Sequence, residues 1–446
     1  MSATPLKEPE NTPPKPRRSA QDTSRASSLR LLPLLLVGLV LIAVAWGVRS
    51  SRWMRETILR GKDLPELEAM ARSQPDDSLT QYYLAKQYYV QHRFAEAVGA
   101  YETAIRLDPG WARARLGLAL SYYELGQRDR AQAEFEQALR LDNKLAWAEY
   151  MLGKIAWYRN NMQEALPHLQ RAVALDPRSD QAWYGLAACY IQLNRRNEAL
   201  DAMRQAVAHS EANGQQSAER NTTNAQYHTT LGELLVYLGK TEEGRQHYAR
   251  ALQLQPDYGP ANALMGSLYL YKTPGMDSLN KAEEYLLRAA KLPTYHPQDV
   301  YLDLGQLYSQ KAEFNKAVPA LQKAIRLDPR DERPYYLLAK AYRRLGDTRA
   351  AEATDKRFQY ISKRHVEQVG LEARLTHHPD DTGTRLRLAR VYRDLGLTPQ
   401  AVQQYLVYRR QRPEDGEAAR ELAQLMQQAR ATPNGLDQDF ALPALR

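Results

Sequence analysis

AWAEYMLGKIAWYRNNMQEALPHLQRAVALDPRS, residues 146–179, is the stretch whose pattern decides the fold. Small residues stand at its eighth and twentieth places, Gly153 and Ala165. Asn160, a residue that readily adopts a left-handed turn, stands at the fifteenth. Leu175-Asp176-Pro177 closes the segment, and a proline there stops a helix from running on. Apolar residues between these marks fall at helical rather than alternating spacing, so the segment reads as helix, tight turn, helix.

The same pattern recurs. Laid out at 34 residues, the chain gives repeats starting near Ser78, Ala112, Ala146, Asp180, Ala225, Gly259, Gln298, Glu332 and Thr382. At the eighth place stand Ala85, Ala119, Gly153, Ala187, Gly232, Gly266, Gly305, Ala339 and Ala389. At the twentieth stand Ala97, Ala131, Ala165, Ala199, Gly244, Ala282, Ala317, Ala351 and Ala401, with Ala282 displaced by an insertion. Ala and Gly together make up roughly 15% of an average chain, so two unbroken columns mark places where helices approach too closely for a larger side chain. The fifteenth place holds Gly126, Asn160, Asn194, Gly239, Gly346 and Gly396. An apolar or aromatic residue at the twenty-fourth place fills the space between the paired helices.

These columns resemble the tetratricopeptide repeat over about residues 78–415. The resemblance implies an all-α fold, a right-handed α-solenoid of about nine helix-turn-helix repeats, and a protein-binding role. Repeats one to four occupy 78–211, an insertion rich in Gln, Asn, Ser and Thr is expected to loop out at 212–224, and repeats five to eight occupy 225–375. The spacing from Tyr342 to Tyr392 is 50 rather than 34, which predicts an extended helix or a degenerate half-repeat. Repeat nine spans 382–415, a capping helix 416–430, and a disordered tail 431–446. A solenoid needs caps over its terminal apolar surfaces, and residues 64–73 within 49–77 are the candidate at the other end.

In proteins of this family the groove is lined by the second, fifth, ninth, twelfth and thirteenth places of each first helix. The resemblance therefore implies a partner-binding row of Tyr82, Tyr89, Tyr123, Trp147, Tyr150, Trp157, Tyr158 and Tyr184. Trp and Tyr suit that role because they dominate binding hot spots. Further along, the same places give a basic cluster of Lys340, Arg343, Arg344, Arg390 and Arg393, fit for an acidic segment or a carboxylate, or else a solvated face paired with nearby acids.

Before the repeats lies a Pro- and Arg-rich tail, 1–30, expected to be disordered. Residues 31–48 form an 18-residue run without a charge, the length of a membrane-spanning helix. Cleavage of a signal peptide is the competing reading, since Ala43-Val44-Ala45 has the small-x-small form. The anchor reading predicts a single-pass protein of a bacterial inner membrane, with the repeats on the periplasmic side.

The net charge of +9 is concentrated at the N-terminus: residues 1–62 hold 11 Lys/Arg and 4 Asp/Glu, whereas the rest holds 50 and 48. A nearly neutral body weakens a nucleic-acid role, which needs a basic face on the folded part. Hydrophobic content of 43% supports a core, and 28 Tyr against 5 Phe suits surfaces that are half packed and half wet. No phosphate loop, nucleophile elbow or metal-ligand spacing is present, so no catalytic residue, metal or cofactor is assigned. The lone cysteine, Cys189, reads as a core thiol. The preferred function is a membrane-tethered interaction scaffold or assembly factor with a partner segment in the groove. The alternative is an accessory subunit of envelope polysaccharide biosynthesis or export.

Overall fold

The computed structural model describes residues 52–212, 217–273 and 275–431. Among the described residues the chain is all-helical, with 21 helices and no strand. It divides into two compact units, the boundary falling between Ala148 and Glu149.

The first unit begins with α1 (Arg52–Arg60) and α2 (Leu64–Ser73), followed by the pair α3 (Ser78–Val90) and α4 (Phe94–Leu107). The pair α5 (Ala112–Glu124) and α6 (Arg128–Leu141) comes next, and α7 (Ala146–Tyr158) contains the boundary. In the second unit α8 (Met162–Leu175) precedes five pairs: α9 (Asp180–Gln192) with α10 (Arg196–Ala212), α11 (Ala218–Tyr237) with α12 (Thr241–Leu254), and α13 (Gly259–Tyr271) with α14 (Met276–Ala289). Then come α15 (Pro297–Gln310) with α16 (Phe314–Leu327), and α17 (Arg333–Leu345) with the 30-residue α18 (Thr348–His377). The unit ends with α19 (Thr382–Asp394), α20 (Thr398–Gln411) and α21 (Gly416–Ala431).

The small-residue columns are the cores of these pairs. Ala85, Ala119, Ala187, Ala339 and Ala389 at the eighth place are all fully buried, as are Ala97, Ala131, Ala165 and Ala317 at the twentieth. The reason is steric. A Cβ on Gly305 would lie 2.4 Å from the Leu321 side chain, and one on Gly232 would lie 2.7 Å from the Tyr248 ring. Leu321 and Tyr248 both occupy the twenty-fourth place of their own repeats, so each pair closes by setting a large residue of the second helix against a small one of the first.

The fifteenth place is left-handed in eight repeats, with φ between 57° and 81°. Six of these residues are Gly or Asn; the other two are His92 and Ala312. Hydrogen bonds hold both exceptions: Arg93 N donates to Tyr88 O at 2.9 Å, and Glu313 N to Tyr308 O at 2.8 Å, closing the helix end as in the glycine cases.

Two expectations are corrected. Residues 212–224 are not a loop throughout: Ser217 accepts from the backbone N–H of Arg220 and starts α11 at Ala218. Arg220 is then held by Asp180 at 2.8 Å and Ser210 at 3.2 Å, which ties the new helix turn to α9 and α10. The single-pass membrane placement is also overturned, because among the described residues no helix is long and apolar enough to cross a membrane. The 31–48 run, its Ala43–Ala45 site, the 1–30 tail and the last residues of the C-terminal tail, from 432 on, lie outside the described residues.

Candidate partner-binding site

The aromatic residues assigned to the first helices are placed unequally. In the first unit Trp147 is the most open, at 37% exposure. Tyr82 is half-buried in an aromatic cluster, its ring 4.4 Å from Trp111 and edge-on to Tyr101 at 5.9 Å. Tyr89 packs edge-on against Phe94 and reaches Glu124 with its hydroxyl at 3.4 Å; burial, then Glu124, pushes its phenol up to about 12. Tyr123 is half-buried. In the second unit Trp157 and Tyr158 are half-buried neighbours, edge to face at 5.6 Å.

Tyr150 and Tyr184 depart from the expected open row, being only 8% and 5% exposed. Tyr150 packs against Gly185, where a Cβ would lie 3.4 Å from its ring. Tyr184 stacks on Tyr227 at 4.8 Å, and its hydroxyl accepts from Gln226 Nε2 at 2.8 Å. A first-helix position alone does not decide between facing a groove and facing the next repeat.

The basic cluster is in part a face paired with nearby acids, the second of its two readings. Arg390 pairs with Glu417 at 2.9 Å and Glu421 at 3.1 Å, and Arg393 pairs with Asp394 and Glu421, each at 3.1 Å. Arg343 pairs with Asp355 on α18. Lys340 and Arg344 are exposed. The acids come from α18, the end of α19 and the capping helix α21, so three of the five cations already have carboxylate partners. Cys189 is fully buried, and burial pushes its thiol up to about 11, which leaves it protonated and unreactive near neutral pH.

A cavity of about 120 Å³ lies on the first-helix wall of the second unit, over α9, α11, α13 and α15. Tyrosines 184, 258 and 295 supply its aromatic lining, and Glu233, Asp299 and Asp303 its carboxylates. The α14–α15 loop closes one side, and Gly259 at the start of α13 lets it approach: a Cβ there would lie 2.0 Å from the Pro293 carbonyl oxygen. Tyr295 from that loop meets Tyr258 hydroxyl to hydroxyl at 3.0 Å.

Asp303 is the electrostatic centre of the cavity. It is 8% exposed, accepts from Tyr271 Oη at 2.7 Å and from Ser267 Oγ, and burial raises its carboxyl above the usual range despite those bonds. Sequence reading reached this site only at Tyr184, because repeats five to seven carry few aromatics at the groove places. The same places there hold Glu233, Ser267 and Asp299, which would have flagged it.

Sequence models described as tetratricopeptide or TPR repeats match residues 88–152, 156–219, 225–258, 299–346 and 332–361. The chain belongs to the tetratricopeptide-repeat superfamily, and its repeats mark it as a protein-interaction scaffold. No curated protein matches it. Among solved structures it is similar to YrrB, described as a TPR protein with an unusual peptide-binding site, at 23% identity over 44% of this chain and 95% of that one, with a TM-score of 0.35. It is also similar to pilF of Pseudomonas aeruginosa, at 18% identity over 52% of this chain and 98% of that one, TM-score 0.44. PilW, described as a type IV pilus biogenesis factor, matches at 18% identity over 51% and 98%, TM-score 0.41.

Proposed function

We propose that the scaffold holds an extended segment of a partner protein along the first-helix wall of its repeats. The observation that carries this reading is the cavity over α9, α11, α13 and α15, which is concave, lined by three tyrosines and bordered by first helices of four consecutive repeats. Binding sites of this kind combine an apolar body with a few convergent polar groups that set orientation.

The test is site-specific photo-cross-linking in cells, with a benzophenone side chain placed at Ala263 or Trp157 on first helices, or at Leu287, an exposed residue of the second helix α14. A partner that cross-links from Ala263 and Trp157 and not from Leu287 supports the reading. Equal labelling from Leu287, or labelling from Leu287 alone, removes it.

A further inference from the structure

We infer that the cavity over α9, α11, α13 and α15 seats an arginine side chain projecting from the bound segment. The inference rests on the scaffold reading above and adds the chemistry of what is recognised.

The lining is rich in hydrogen-bond acceptors and poor in positive charge. Glu233, Asp299 and Asp303 all border the cavity, and no lysine or arginine does. Arg333 reaches Asp299 at 2.8 Å from the start of α17, but it also binds Asp331 at 2.7 Å and lies outside the lining. A buried carboxylate such as Asp303 is costly to keep ionised unless a cation or several donors meet it.

A second observation is independent of the carboxylates. Thr294 Oγ1, from the loop that closes one side of the cavity, is buried without a hydrogen-bond partner. Buried hydroxyls are ordinarily satisfied, so an orphan bordering the cavity marks the place of an absent polar group.

The group that fits is a guanidinium. It brings five N–H donors in a fixed plane and no acceptor, which suits carboxylate and hydroxyl oxygens arriving from several helices at once. Its flat face packs on tyrosine rings, and Tyr184, Tyr258 and Tyr295 supply them. An ammonium has the charge without the plane. A metal ion is disfavoured because among the described residues no group of three or more His, Cys, Asp or Glu is set to hold one.

The experiment titrates the full-length chain with Nα-acetyl-arginine amide, its lysine counterpart and the neutral isostere Nα-acetyl-citrulline amide, read by saturation-transfer NMR. Arginine amide should bind about tenfold more tightly than either of the others, since a charge-assisted bidentate contact is lost in each. Asp303→Asn and Glu233→Gln should each weaken it about tenfold with the fold intact by circular dichroism. Thr294→Val should weaken binding while leaving Tm unchanged or higher, a combination that a purely structural threonine would not give. Equal binding of citrulline or lysine amide, or unchanged binding by folded Asp303→Asn and Glu233→Gln, overturns the proposal. In that event cross-linking from Ala263 would still uphold the scaffold reading. A chain truncated after Ala431 that binds the probe when the full chain does not would make the C-terminal segment the occupant, and the assignment to a partner would fall.

Discussion

The hydroxyl of Tyr122 on α5 donates to Glu102 on α4 at 2.7 Å, joining the first helix of one repeat to the second helix of the repeat before it. The same 20-residue link recurs. Tyr88 donates to Glu68, Tyr392 donates to Glu372, and Tyr190 and Tyr342 accept from Gln170 and Gln322. Cations cover several of the rings, with Arg93 4.5 Å from Tyr88 and Arg195 4.6 Å from Tyr190. The tyrosine-rich composition is explained in part by this device, since Phe would fill the volume and lose the link.

Tyr122→Phe should therefore destabilise the chain by about 1 kcal/mol in urea unfolding, the worth of one partly buried hydrogen bond. The link also predicts alkaline behaviour. Burial, then the bond to Glu102, pushes the Tyr122 phenol from 10.0 up to about 12. The folded state holds that proton more tightly than the unfolded one, so the stabilisation is whole below pH 10 and is lost as pH rises through 12. The decline in Tm across that window should be shallower in Tyr122→Phe than in the parent chain.

On the acid side the sensitive element is a histidine pair, one member of it buried. His228, 4% exposed, sits with its Nδ1 3.0 Å from His247 Nδ1, the rings stacked, and its Nε2 3.2 Å from Glu211. Burial, and then the neighbouring His247, hold the His228 pKa below 6.5, with Glu211 opposing. A base with a lowered folded pKa gives stability that is present above its unfolded value and lost as pH falls below it. Urea midpoints should drop from about pH 7 to about pH 5, and the drop should be smaller in His228→Gln. A slope that the substitution leaves unchanged would place the acid sensitivity elsewhere.

Helix caps offer a cleaner measure of local stability. Asp381 starts α19 by accepting from Thr384 N at 3.0 Å and Thr384 Oγ1 at 2.7 Å, and Arg374 donates to it at 3.0 Å. Asp381→Ala should lower stability by about 1 kcal/mol, and Asp381→Asn by clearly less, because the asparagine side-chain oxygen still caps. Equal losses in the two variants would mean that the charge, through Arg374, matters more than the cap.

The repeat architecture was legible because close helix packing leaves a compositional trace: a small residue is needed wherever a Leu321 or a Tyr248 must enter. The turns were legible at Gly126 or Asn160 and invisible at His92 and Ala312, where hydrogen bonds impose the left-handed conformation on residues that do not favour it. The candidate site was less legible for a geometric reason. Period assigns a residue to a first helix, yet Tyr150 packs against Gly185 while Trp147 stays open. Arg390 looked available until Glu417 and Glu421 arrived from a helix beyond the ninth repeat. The cavity itself depends on a loop reaching back to Gly259, a contact that no periodic column encodes.

The repeat beginning at Gln298 holds a paired test of these packing arguments, because exchanging Ala and Gly in it should act in opposite directions at two places. Ala312 has φ of 57°, where a Cβ costs about 1 kcal/mol, so Ala312→Gly relieves strain. Greater freedom of the unfolded glycine offsets part of that gain, leaving a net stabilisation of about 0.5 kcal/mol. Gly305 lies seven residues earlier with ordinary helical backbone and no room, the Leu321 side chain standing 2.4 Å from where a Cβ would be. Gly305→Ala should destabilise by about 1–3 kcal/mol, as overpacked cores do, although alanine is the better helix former. Urea unfolding of the two single variants and the double variant measures all three quantities. If Gly305→Ala proves stabilising, helix propensity outweighs the contact, and the explanation of the small-residue column fails at its tightest point.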